Sequence, residues 1–119
     1  MELGNMLKTI TTIPFYCADK DGNEGWIEGI EATFFVFENK TLYLHNSSGV
    51  YTCLARFTHE ALVRILLPYG FEELDNNNTC KMNRIVRVDR KERIAYFDNN
   101  LQIKISVRNL RKVKHIPNI

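Results

Sequence analysis

"TFFVFE", Thr33–Glu38, sets the class of fold. Its four central residues are apolar without a break. A strand with one wet face alternates apolar and polar side chains. A continuous apolar run is what a strand covered on both faces shows. Short strands surround it. Upstream, "TIPFYC" (Thr12–Cys17) is rich in β-formers and "WIEGI" (Trp26–Ile30) alternates; the polar turn "ADKDGNEG", with Asp21-Gly22, joins them. Downstream, "ENK" turns the chain into "TLYLH" (Thr41–His45). "NSSG" (Asn46–Gly49) then turns it into "VYTCLARF" (Val50–Phe57). The first half reads as a strand meander.

The period changes once. In "THEALVRILLPYG", Ala61, Leu62, Ile65 and Leu66 stand at helical spacing. Thr58 is placed to cap that helix, Glu60 suits its first turn, and Pro68 and Gly70 end it. "FEELDNNNTCKMNRI" (Phe71–Ile85) starts extended, passes through three asparagines and ends in a short turn. "IVRVD" (Ile85–Asp89) and "RIAYFD" (Arg93–Asp98) alternate around "RKE", and "DNN" turns into "LQIKISV" (Leu101–Val107). The last stretch, "KISVRNLRKVK" (Lys104–Lys114), begins as a strand and ends as a short helix. Leu110 and Val113 form its inward side; Arg108, Arg111 and Lys112 form its outward one.

A chain of 119 residues is most simply one domain, with a core over 25–115 and a strand or hairpin extension over 1–24. There is no run of 18 apolar residues, and "MELGNMLKTI" lacks the apolar segment of a signal peptide. Cys17, Cys53 and Cys80 are odd in number and form no C-x-x-C pair. His45, His59 and His115 keep no ligand spacing with them. Buried reduced thiols, no metal site and a cytoplasmic location are the expectation.

The net charge of +2 conceals an asymmetry. Residues 79–119 hold eleven Lys/Arg against three acids, or +8; residues 1–78 hold five against eleven, or −6. The second part is suited to a polyanion. No G-x-S-x-G, H-E-x-x-H, P-loop or G-x-G-x-x-G occurs, so neither catalysis nor a cofactor nor a small-molecule substrate is indicated. Hydrogen-bonding loops are plentiful instead. An asparagine amide matches an adenine edge, which makes Asn76 and Asn77 reading candidates; Asn78 is assigned to turn-making. Arg108 stands at a strand-to-helix junction, and its fork suits guanine or phosphate.

"FEELDNNNTCKMNRIVRVDRKERIAYFDNN" followed by "ISVRNLRKV" resembles the LytTR DNA-binding domain, especially the version in accessory-gene-regulator response regulators. Those carry "D-x-K-E-R-I-x-Y-F" and "S-V-R-N-x-x-K". The resemblance covers about Trp26–Val113 and is most specific in the last third. It implies a mainly β fold of three small antiparallel sheets, with one helix in the middle and a short C-terminal helix. It also implies sequence-specific binding of double-stranded DNA by a bacterial transcription regulator. Loops enter successive major grooves, often at repeated promoter sites. On that likeness Lys40, Asn76 and Arg108 read bases. Asn77, Lys81, Arg84, Lys104, Ser106, Asn109, Arg111 and Lys112 hold the backbone. A homodimer on DNA and a membrane-bound regulatory protein are implied partners.

The chain departs from that pattern. Lys40 stands where a histidine is common, Lys81 replaces an asparagine, Glu73 an arginine and Asp75 a histidine. Base preference is therefore expected to differ, and 24 preceding residues are too few for a receiver domain. The rival reading is a LytTR-like anti-regulator that contacts protein, favoured by the acids Glu72, Glu73 and Asp75. An RNA or membrane-surface binder is a third. It is disfavoured by the lack of exposed aromatic pairs on a strand and by the shortness of the basic helix.

Overall fold

The computed structural model describes residues 12–119. The strands are β1 (Pro14–Ala18), β2 (Glu24–Glu28), β3 (Phe34–Glu38), β4 (Thr41–Asn46), β5 (Gly49–Cys53), β6 (Phe71–Asp75), β7 (Asn78–Lys81), β8 (Ile85–Asp89), β9 (Ile94–Phe97) and β10 (Gln102–Lys104). Among the described residues one α-helix, α1 (His59–Leu66), joins β5 to β6, and the longest 3₁₀ helix, Val107–Val113, follows β10. The first seven strands form one antiparallel sheet in the order β2-β1-β5-β4-β3-β7-β6, and the last three form a second, β10-β9-β8. The molecule is thus mainly β, with a middle helix and a short C-terminal one. Among the described residues the strands make two sheets where three were expected. The reason is β3, which pairs with β4 on one side and β7 on the other and so joins two ribbons into a single ladder.

β3 also divides the core. Phe34 and Val36 face a cluster built from Leu74, Ile85, Val88, Phe97, Ile103, Ile105 and Val113, under the three-stranded sheet and the C-terminal helix. Phe35 and Phe37 face the opposite cluster, with Phe15, Leu42, Leu44, Leu62, Leu66 and Phe71, under α1. The unbroken apolar run is what one strand needs to serve two cores. Each fully buried phenylalanine contributes about 1.5–3 kcal/mol relative to exposure.

Local chemistry places α1. The Thr58 hydroxyl accepts from Ala61 N at 3.1 Å and so caps it. Leu62 and Leu66, one turn apart, are buried on the sheet, whereas Ala61 and Ile65 are exposed. One such pair suffices for a helix this short. A 3₁₀ turn, Leu67–Tyr69, follows α1 and stops where Gly70 takes a φ of 86°, a left-handed conformation that glycine adopts without strain.

Two boundaries differ from expectation. β5 ends at Cys53 rather than Phe57, because after exposed Leu54, whose N–H donates to Tyr16 O at 2.9 Å, the chain leaves the sheet to reach the helix cap. "NTCK" forms β7, a central strand, where only a turn was expected. Its buried residues include Asn78 and Thr79, so no alternation of apolar and polar residues announces it. The expected N-terminal hairpin is β1–β2, bonded to β5 through the Cys17–Cys53 register. Residues 1–11 of that extension lie outside the described residues. All three cysteines are free and buried, and burial pushes their thiols up, away from the reactive thiolate.

Candidate nucleic-acid interface

Three loops meet at one end of the seven-stranded sheet. β3 and β7 run antiparallel with Val36 opposite Asn78, so β3 ends where β7 begins. The β3–β4 tip, Asn39–Lys40, and the β6–β7 turn, Asn76–Asn77, therefore project the same way. A bond from Phe37 N to Asn77 O, 2.8 Å, extends the ladder into the turn. The third loop follows β10. Ser106 N donates to Leu74 O at 2.7 Å, which lays the junction before Arg108 beside β6.

Asn78 ties the second loop to the third. Its Oδ1 accepts from Leu74 N and Asp75 N, both at 3.1 Å, and its Nδ2 donates to Lys104 O at 3.0 Å. The side chain assigned to turn-making therefore makes the turn and clamps the next loop as well. Buried at 3% exposure, it satisfies three backbone groups that water cannot reach. Ahead of it, Asn76 N donates to Asp75 Oδ1, leaving the exposed amides of Asn76 and Asn77 at the tip.

Lys40 holds a costly conformation. Asn39 and Lys40 have φ values of 50° and 66°, the two left-handed residues of a tight hairpin turn. Asn-Gly is the favoured pair there, and a lysine in the second place is strained. At the third loop the helix is 3₁₀, with three residues per turn. Arg108, Arg111 and Lys114 accordingly form one exposed column, while Asn109 and Lys112 form another that turns inward.

That period turns the side chains of two expected backbone contacts toward the protein. Asn109 is buried at 3% exposure, and its amide donates to Ser106 Oγ at 2.8 Å. Lys112 is half-buried, and its Nζ donates to Glu73 O at 2.8 Å, pinning the helix to the sheet edge. Ser106, half-buried, is engaged by Asn109. Two further candidates sit elsewhere. Lys81 lies at the opposite end of β7, where its Nζ donates to Ile30 O at 2.5 Å and stands 5.6 Å from the centre of the Phe71 ring. Arg84 is exposed but lines a small cavity with Thr33, Ser47 and Phe97, also at the far end. The loops thus bring together Lys40, Asn76, Asn77, Lys104, Arg108 and Arg111, all exposed.

The pairing of Glu73 with His59 and Arg108 escaped the sequence reading. His59 Nε2 lies 2.5 Å from Glu73 Oε2, and Arg108 Nη2 lies 3.8 Å from Glu73 Oε1. Their positions, 14 residues apart, follow no helical or strand period. The substitution of an acid for a basic residue at position 73 was the only available signal. Among the described residues no group of three His, Cys, Asp or Glu is placed to hold a metal, and no helix is long and apolar enough to cross a membrane.

The LytTr DNA-binding domain of a protein described as a methyl-accepting/DNA response regulator from Bacillus cereus superimposes on this chain with a TM-score of 0.69. It covers 88% of this chain and 94% of its own, at 11% sequence identity. The chain therefore has a LytTR-type fold. No family model and no curated protein matches it.

Proposed function

We propose that the chain is a sequence-specific duplex-DNA-binding protein, acting as a bacterial transcription regulator in the cytoplasm. The observation that carries this reading is the convergence of three exposed loop tips at one end of the sheet. The named function of the structural neighbour supports it. Asn76 and Arg108 read base edges from adjacent loops, and Lys40 supplies a third contact from the hairpin. Asn77, Lys104 and Arg111 hold phosphates and fix the register. Tips from neighbouring turns, at different positions along one end, suit entry into successive major grooves. Two copies would then occupy repeated promoter sites. The strained backbone at Lys40 supports a functional demand for that side chain.

Two cations of this end, Lys104 and Arg111, are left for phosphate, since Lys40 and Arg108 are assigned to bases and Lys81, Arg84 and Lys112 point elsewhere or are engaged. At roughly −0.9 per phosphate, log K against log[salt] has an expected slope of about −1.8. The decisive experiment selects bound fragments from a genomic library and measures Kd for the best of them. Arg108→Ala should weaken that site by about 1–3 kcal/mol and blur one base position. Equal binding by wild type and variant over the whole library would remove the reading.

The anti-regulator alternative keeps one specific support: Glu38, Glu73 and Asp75 lie at the same end as the cations. Capture of a protein partner, together with indifference to duplex at low salt, would favour it.

A further inference from the structure

We propose that Glu73 determines specificity: it steers Arg108 toward the neutral edge of a base and away from phosphate. The inference rests on the DNA-binding reading above. The carboxylate is held by a histidine that is itself packed in place. His59, the first residue of α1, meets Oε2 through Nε2 at 2.5 Å, and Phe37 holds the imidazole edge-on at 5.6 Å between ring centres. His59 Nδ1 is buried without a partner. A proton there would be a buried donor with no acceptor, so the proton sits on Nε2 and is donated to the carboxylate. Lys112 Nζ, bonded to Glu73 O, ties the same residue of β6 to the 3₁₀ helix that carries Arg108.

Arg108 therefore stands beside an anion mounted on rigid elements. The 3.8 Å separation is an ion pair without a direct hydrogen bond, and the guanidinium is 73% exposed. Such a pair contributes little to stability, and it leaves every donor of Arg108 available. Its effect is on what can approach. A phosphate that reaches for Arg108 also nears Glu73, and the two anions repel. The N7 and O6 acceptors of guanine carry no net charge and meet no such penalty. Discrimination between ligands commonly needs a repulsive element of this kind beside the attractive one.

Glu73→Gln tests this, because the amide keeps the shape and can still accept from His59. Kd is measured for the best selected site and for a duplex of scrambled sequence, over a series of salt concentrations. The expected result is about five-fold tighter binding to the scrambled duplex and less than two-fold change at the selected site. The salt slope of the scrambled complex should steepen by about 0.9, one added phosphate contact. Equal gain on both duplexes, or a loss on both, overturns the assignment. If Glu73→Gln does not fold, as judged by its thermal transition, Glu73→Ala also removes the carboxylate and should lower the ratio in the same direction; an unchanged ratio rejects the proposal. Wild-type protein that binds no duplex at low salt removes the DNA reading itself. Wild type that binds, with the ratio unmoved in the variant, removes only the role of Glu73.

Discussion

The two ends of the seven-stranded sheet carry similar residues under different constraints. At the loop end Lys40, Lys104, Arg108 and Arg111 are exposed, although Glu73 stands near one of them. At the far end Lys81 is tied to Ile30 O, and His45 stacks on Phe34 at 4.5 Å between ring centres. A cation whose head group bonds a backbone carbonyl stabilises the fold; one whose head group is left in water is free to meet a ligand. Charge counted along the chain does not distinguish them. The same contrast recurs within a single stretch, where the 3₁₀ period leaves Arg108 and Arg111 outside and draws Lys112 in.

The contrast can be broken most forcefully at the clamp between loops. Asn78→Ala removes the partner of two backbone N–H groups and one carbonyl. It should cost about 3 kcal/mol of stability, at about 1–3 kcal/mol for each group left buried and unpaired, softened by local rearrangement. Chemical denaturation measures it, and a loss below 1 kcal/mol would show that the loops are held by other means.

Lys81→Met comes next. Loss of a charge-assisted bond to a half-buried carbonyl should lower stability by about 1.5–3 kcal/mol. DNA affinity of the folded fraction should not move, in contrast to Arg108→Ala. A Lys81 variant that folds normally and binds DNA poorly would return that residue to the interface.

Lys40→Gly should separate stability from binding. Relief of the left-handed backbone stabilises the hairpin by about 0.5–1 kcal/mol. DNA binding should weaken at the same time. A variant that is more stable and binds equally well would take Lys40 out of the interface.

The smallest effect is expected from pH at the far end. Burial holds the pKa of His45 below its ordinary value, with Glu38 working weakly in the other direction. The unfolded chain therefore binds a proton more readily than the folded one. Stability from this group is complete above about pH 6.5, the unfolded value, and falls as pH drops through the window beneath it. Thermal melts at pH 7.5 and 5.5 should show the fall, and His45→Phe should reduce it. An unchanged pH dependence in that variant would place the titrating group elsewhere.

Much of the architecture could be read from local patterns, because local physics produces them. The Thr58 cap, the stop at Gly70, the hairpins around "ENK" and "RKE" and the doubly covered strand all follow from side-chain period and turn chemistry. β7 could not be read this way. Its buried Asn78 and Thr79 are polar, and only their surroundings make a strand of them. The candidate interface was legible in part. Lys40, Asn76 and Arg108 do project from one end of the sheet; Lys81 and Arg84 lie at the other end, and Asn109 and Lys112, in the helix beside Arg108, are engaged by the protein itself.

The residue pattern by itself determined a mainly β chain, its capped helix, its turns and its basic C-terminal third. Those features arise among neighbours a few residues apart, where spacing and turn preference decide. The tertiary structure alone decided that β3 joins two ribbons into one sheet, which lysines are tethered and which are free, and that Glu73 stands between His59 and Arg108. Each depends on groups distant in sequence becoming neighbours, and the energy of a charge or a donor is set by what surrounds it after the chain has folded.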